Sequence, residues 1–317
     1  MPYTPETREA LPGAQSPYGY TPTQWICILF VALYSITTIL HVGQATRAHI
    51  WWLFPTAVLA GIAEIIGWSG RLWSSITPTD LNPYLMQITT TIIAPTPLVA
   101  ANFILLGQII NILGLRYSRL SAAWYTILFL ACDIIALVVQ AVGGSIASTA
   151  AEQGTDPAKG GNIMLGGIVF QLVAIVAYSV LAAEFLTRYI MDRPISGHEF
   201  ADPQSRRVKT PLKMKLMLSG MALMTVLIFI RSVYRTCELA DGWTGPVIQK
   251  QVLFNVCDGA MIVLAMFTLN VFHPSHLLYP AKEEMLLAYG ASGVAQKTAS
   301  DESDATVVGQ STAEKTT

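Results

Sequence analysis

The sequence predicts an all-α integral membrane protein, a bundle of seven transmembrane helices. Of its 317 residues, 53% are hydrophobic and only 12% are charged, whereas soluble domains carry roughly 25% charged residues. Several segments are apolar over the length of about 20 residues that crosses a hydrocarbon core. Lysine and arginine lie mostly in alternate loops, as in multi-pass proteins. The net charge of -1 gives no reason to expect a nucleic-acid partner.

Seven segments satisfy the length and hydropathy expected of a membrane span. They are 23–43, 50–70, 84–112, 121–148, 161–187, 213–236 and 249–272. Pro95 and Pro97 interrupt the third segment and are expected to kink it. Small residues at the end of the fourth segment and at the start of the fifth allow neighbouring helices to approach closely. The predicted helix-packing residues are Pro95, Gly107, Gly143 and Gly144.

The segments divide the chain into three parts: a polar N-terminal segment (1–22), the transmembrane domain (23–276) and a polar tail (277–317) that we expect to be disordered. Basic residues cluster after the first, third and fifth segments. They are Arg47, Arg116, Arg119, Arg188, Arg193, Arg206, Arg207 and Lys209, followed by Lys213 and Lys215. The other side carries Arg8, Arg71, Lys159 and Lys250. This bias predicts an external N-terminus and a cytoplasmic C-terminus.

Polar side chains inside the spans are the candidate functional residues. Ionisable groups are rare in membrane helices, and they usually face the bundle interior or a wet cavity. The alternative is that each simply ties two helices together, at about 0.6 kcal/mol per hydrogen bond. Polar groups on six helices argue against an entirely structural role. The candidate binding residues are Glu64, Asp133, Gln140, Gln171, Arg231, Arg235, Glu238 and Asp258.

The stretch "IFIRSVYRTCELADGWTG" places Arg231, Arg235 and Glu238 on one face of the sixth helix, because residues three and four apart are neighbours there. At a rise of about 1.5 Å per residue, Arg231 and Glu64 both lie roughly 21–22 Å from the cytoplasmic ends of their helices. This common depth predicts an ion pair between Arg231 and Glu64 if their helices are neighbours.

Several motifs together resemble the fungal RTA-like proteins, the lipid-translocating exporter family, over about residues 20–276. They are "AEIIGWSGR", "IIAPTPLVAANFILLGQII", "DIIALVVQAVGGS", "RSVYRTCELADGWTG" and "CDGAMIVLAMFTLNVFHP". The resemblance implies export, or movement between leaflets, of an amphipathic molecule such as a sphingoid base or a toxic amphipath. It also implies location in the plasma membrane and a contribution to resistance or lipid asymmetry.

The residues themselves favour the same class of function. Acidic side chains in a polar interior attract an amine headgroup while its tail stays in lipid, and the arginines hold those acids in place. No Gly-x4-Gly-Lys phosphate loop is present, so we expect no ATP-driven mechanism. No metal or other cofactor, and no enzymatic activity, is expected: the five histidines fall near the cytoplasmic side, and a hydrolase needs several at one depth.

One alternative remains open. A seven-helix receptor with an external N-terminus has the same topology, and its effect on resistance is then indirect signalling through a cytoplasmic partner.

The charge bias generates a test of topology. A protease-cleavable tag fused after Thr317 is expected to be cut from the cytosolic side of intact cells, and a tag before Met1 from outside. Protection of the C-terminal tag from cytosolic protease would contradict the predicted orientation.

Overall fold

The computed structural model describes residue 16 and residues 18–195, 210–242 and 245–288, and in these it contains helices and no strands. Seven helices of this described part are long and apolar enough to cross a membrane, which confirms the predicted fold class. They are α1 Gln24–Ala48, α2 Trp51–Ile76, α3 Leu81–Leu113, α4 Ala122–Glu152, α5 Ala158–Met191, α6 Leu212–Ala240 and α7 Gln251–Val271. A further helix, α8, covers residues 274–288.

Successive spans run in opposite directions. We call the face at which α1 begins the N-terminal side of the bundle, and the face at which α7 ends the C-terminal side. Helix α8 therefore lies on the C-terminal side, and the loops after α2, α4 and α6 lie on the N-terminal side. The sequence predicts that the N-terminal side is external.

Two spans contain turns that depart from α-helical geometry. Helix α2 opens with a 3₁₀ turn at Trp51–Leu53 and a π turn at Phe54–Val58. Helix α7 contains a longer π segment, Phe254–Ala260, which includes Asp258. Single π turns within α-helices are frequent at functional sites, because the inserted residue changes the direction in which side chains point.

Helix α3 breaks where the sequence predicts a kink. It consists of Leu81–Ile93 and Pro95–Leu113, joined at Ala94. Pro95 has no backbone N–H, so the carbonyl of Thr91, four residues earlier, receives no bond from the helix. The break therefore leaves an acceptor in the middle of the membrane domain that another group must satisfy.

Glycines decide where the two halves of α3 pack. On α2, a Cβ added to Gly70 would lie 3.1 Å from both the Gln87 nitrogen and the Pro83 oxygen of the first half. On the second half, a Cβ on Gly107 would lie 3.0 Å from the Ala122 oxygen of α4. The first half thus follows α2 and the second half follows α4, and Gly107 lies at a helix contact as expected.

Helices α4 and α5 approach so closely that glycine is required on both. A Cβ on Gly143 would fall 2.8 Å from the Gly160 oxygen, and one on Gly167 would fall 2.9 Å from the Ala136 oxygen. Gly144 differs from its expected packing role, because a Cβ there would meet only the Met164 sulfur, at 3.6 Å. Gly144, which follows Gly143 in the sequence, faces a groove and not the contact between α4 and α5.

The start of the expected tail is ordered. Residues 277–288 belong to α8, whose Leu278, Ala281 and Met285 are buried against the bundle, and Lys213 Nζ lies 2.7 Å from Glu284 Oε1. The sequence predicts disorder here from its charges, whereas the apolar residues of the same stretch lie three and four apart and form one buried face. The tail beyond residue 288 lies outside the described residues.

Adjacent glycines on α5 offer a matched test of this packing. Gly167→Ala is expected to destabilise the bundle by about 1–3 kcal/mol, the usual range for overpacking a tight contact. Gly166→Ala should be neutral, because nothing lies within 4 Å of a Cβ at that position. Thermal unfolding of the two purified variants in detergent measures the difference, and equal transition temperatures would contradict the tight α4–α5 contact.

Candidate functional site

An ion-pair cluster in the bundle interior joins α6 to α7. Arg235 makes a two-point contact with Asp258: its Nε and Nη2 donate to Oδ1 and Oδ2, both at 2.8 Å. Arg231 Nε lies 2.9 Å from Asp258 Oδ1, although its N–H is not aligned for a hydrogen bond. The three residues are at most 6% exposed, so the sequence correctly places both arginines in the interior.

Glu238 completes this cluster toward the N-terminal side. Its Oε2 accepts a hydrogen bond from Arg235 Nη1 at 2.7 Å, and its Oε1 accepts one from the Tyr234 hydroxyl at 2.8 Å. Two arginines thus face two carboxylates, and the charges of the four residues cancel. Tyr234 is a participant that the charge pattern alone did not identify.

The cluster also holds α3 at its break. Arg231 Nη2 donates to the Thr91 carbonyl at 2.7 Å, and Arg235 Nη2 donates to the Thr91 hydroxyl at 3.0 Å. This is the carbonyl that Pro95 leaves without a helical donor. The sequence contains the signal, a residue four before a proline, but it does not show which donor satisfies it.

Glu64 does not form the predicted pair with Arg231. In the described part of the chain, the salt-bridge partner of Arg231 is Asp258, and Glu64 lies within 4 Å of no basic nitrogen. Glu64 is 1% exposed, and its Oε2 has no hydrogen-bond partner among the described residues. Equal depth was insufficient for the prediction, because depth does not fix how each helix is rotated, and Asp258 competes for the same guanidinium.

A second polar cluster connects α3, α4 and α5. Gln171 Nε2 donates to Asp133 Oδ1 at 2.7 Å and lies 3.4 Å from Thr96 Oγ1, and Gln171 Oε1 accepts from Gln140 Nε2 at 3.1 Å. Asp133 is 2% exposed. Its Oδ2 is buried without a partner in the described chain, and no basic side chain there pairs with it.

A small cavity separates the two clusters. It measures about 10 Å³ and is lined by Gln140, Gln171, Arg231 and Arg235, together with Ile92, Ile168 and Ser232. This is the size needed for about one water molecule. The structure therefore brings all eight predicted site residues into the interior and groups seven of them in two adjoining clusters, whereas Glu64 forms no ion pair with either cluster in the described chain.

The charge balance separates the four acids into two kinds. Asp258 and Glu238 are neutralised by arginines, whereas Glu64 and Asp133 have no basic partner within the described ranges. A buried carboxylate without a cation is costly, so these two positions are where a positively charged ligand gains most. Glu64 and Asp133 are thus the two buried acids of the described chain whose charge is not matched by an arginine.

A buried arginine on α2 lies in an aromatic cage that the sequence analysis missed. The Arg71 guanidinium carbon lies 4.3 Å from the ring centre of Phe254 and 5.1 Å from that of Tyr18, and Arg71 Nη2 donates to the Tyr20 hydroxyl at 2.7 Å. Burial raises the pKa of Tyr18 to about 12, so this phenol stays neutral at physiological pH. Tyr18 and Tyr20 thereby fix the segment before α1 over the N-terminal side of the bundle.

The two kinds of acid should respond differently to loss of charge. Asp258→Asn is expected to destabilise the fold by about 3–5 kcal/mol, because it leaves two buried arginines without their shared partner. Glu64→Gln, which removes a charge without a paired arginine, should unfold close to the wild-type temperature. Thermal unfolding in detergent measures both, and a Glu64→Gln defect as large as that of Asp258→Asn would show that Glu64 carries part of the ion-pair network.

Comparison with known proteins identifies relatives over most of this chain. The sphingoid long-chain base transporter RSB1 of Saccharomyces cerevisiae is 29% identical over 289 residues, covering 84% of this chain and 75% of the relative. Protein RTA1 of the same organism is 22% identical, covering 86% and 89%, and protein RTM1 is 27% identical, covering 64% and 62%. No solved structure matches the chain.

The matching protein-family model is described as RTA1 like protein and covers residues 57–280. This range runs from the π turn of α2 into α8, and it includes both polar clusters, the α3 break and Arg71. The chain is therefore a member of the RTA1-like family, in agreement with the resemblance carried by its motifs.

Proposed function

We propose that this protein moves amphipathic molecules with a cationic headgroup, sphingoid long-chain bases or closely related amphipaths, across or out of the plasma membrane. Such export lowers the toxicity of membrane-active amphipaths and maintains lipid asymmetry. The observation that carries the proposal is a pair of buried acidic side chains, Glu64 and Asp133, that lack a basic partner in the described structure. The name of the RSB1 relative supports the class of substrate.

The polar residues have different roles in the proposed transport. The ammonium group of the substrate binds at Glu64 and Asp133, where its charge compensates a buried carboxylate. The Gln140 and Gln171 amides offer donors and acceptors for headgroup hydroxyls. Arg231, Arg235, Glu238 and Asp258 form a neutral scaffold, so their part is to hold α3, α6 and α7 together and not to take the headgroup directly.

The neutral scaffold has a consequence for selectivity. Because its two arginines are matched by two carboxylates, they present little net repulsion to an incoming cation. An amphipath with a phosphate headgroup, in contrast, would meet Glu64 and Asp133 as like charges. The proposal therefore favours amines over anionic lipids.

Reconstitution of the purified full chain in proteoliposomes tests the proposal. Transfer of sphinganine to external albumin should be faster than in empty liposomes. Glu64→Gln and Asp133→Asn should each slow it at least tenfold, because each removes a charge that compensates the ammonium group. Glu284→Gln is a matched control, since it neutralises a partly exposed carboxylate on α8, and it should transfer at the wild-type rate.

Two outcomes would contradict the proposal. If wild-type protein moves no sphinganine in pure lipid, the seven-helix receptor becomes the better account. If Glu64→Gln and Asp133→Asn both keep the wild-type rate at normal abundance, these carboxylates do not take the headgroup.

A further inference from the structure

A groove open to the lipid-facing surface leads to the second polar cluster. It lies between the first half of α3 and the N-terminal-side half of α4, and its volume is about 230 Å³. Its lining includes Ile88, Thr89 and Ile92 from α3, and Gln140, Gly144 and Ser148 from α4.

The groove follows from the break in α3. Before Ala94, the first half of the helix packs against Gly67 and Gly70 of α2, and this draws it away from α4. Helix α4 cannot follow, because Gly143 fixes it against α5. A gap between α3 and α4 remains, and the polar side chains Thr89, Gln140, Ser145 and Ser148 line it.

The two ends of the groove differ in chemistry. On the outside, α4 presents exposed apolar side chains close in sequence to the groove residues, such as Val138 and Val142, which are 55% and 49% exposed. At its inner end Gln140 also lines the 10 Å³ cavity beside Arg231 and Arg235. Gln140 is hydrogen-bonded to Gln171, and Gln171 to Asp133, so a chain of hydrogen-bonded side chains connects the groove to a buried carboxylate.

We propose that this groove is the lateral portal through which the headgroup of a single-chain amphipath with an amine and hydroxyl groups passes between the bundle interior and the N-terminal-side leaflet, its tail remaining in lipid. The inference rests on the proposed function and specifies its route. Thr89 and Ser148 can exchange hydrogen bonds with the hydroxyls of such a headgroup. Gln140 and Gln171 connect the groove to Asp133, and the buried Oδ2 of Asp133, which lacks a partner in the described chain, binds the ammonium group.

A larger side chain at Gly144 is expected to block the portal. A Cβ at this position meets only the Met164 sulfur, at 3.6 Å, so Gly144→Leu is expected to fold and to extend its side chain into the groove. Gly166→Leu is the matched control. It adds the same side chain to the neighbouring helix α5 at an exposed position with nothing within 4 Å of the Cβ.

The first measurement is transfer of sphinganine from proteoliposomes containing each full-length variant. Gly144→Leu should lower the rate at least tenfold, and Gly166→Leu should stay within twofold of wild type, with similar thermal transitions for both. Asp133→Asn should also lower the ratio of the sphinganine transfer rate to that of its N-acetyl analogue, which lacks the positive charge.

The second measurement maps the site without requiring transport. Sphinganine with a diazirine near its headgroup should label wild-type peptides that contain residues 88–93 and 140–148, and Gly144→Leu should abolish that labelling. Labelling here without transfer would support the site and contradict translocation. A larger groove of about 650 Å³ lies between α5 and α6 and is lined by Leu186, Ile190 and Leu218. If labelling occurs there, and Gly144→Leu transfers sphinganine at the wild-type rate, the portal proposal is wrong. The proposed function would then still stand.

Discussion

The interaction on which the rest of the structure depends is the grip of two arginines on Asp258 and Thr91. A proline in a membrane helix leaves a carbonyl that lipid cannot satisfy. Here Arg231 donates to that carbonyl, and Arg235 joins the same threonine to the carboxylate of α7. One cluster thus connects three helices. It also stabilises the break in α3 by satisfying Thr91, whose carbonyl in a continuous helix would be bonded within the helix itself.

The broken helix organises the surroundings of the site. Its first half packs on α2 and its second half on α4, so a single span belongs to two neighbouring helix pairs. The gap left beside the first half is the groove between α3 and α4. The arginines that stabilise the break also border the inner cavity, so this cavity lies between the α3 break and the second polar cluster.

The proposed function depends on the difference between paired and unpaired acids in the interior. Charges that stabilise a fold must be paired, whereas charges that bind a transported cation must be available and yet tolerable when empty. Asp258 belongs to the first kind. In the proposed function Asp133 is assigned to the second kind: one of its oxygens accepts a hydrogen bond from Gln171, and the other has no partner in the described chain. The same distinction explains why acidic residues of similar burial have different expected mutational effects.

The sequence by itself determined the seven helices, the break at Pro95, the glycine contact at Gly107 and the interior location of the charged residues, because hydropathy, a missing N–H and the cost of charge in lipid are properties of single residues and short segments. Tertiary structure alone decided which groups pair. Depth along a helix places Arg231 level with Glu64, but the rotation of each helix and the π segment of α7 bring Asp258 to that guanidinium. It likewise decided that Gly144 borders a groove, and that apolar residues of 277–288 bury one face of a helix, since both depend on what lies opposite in space.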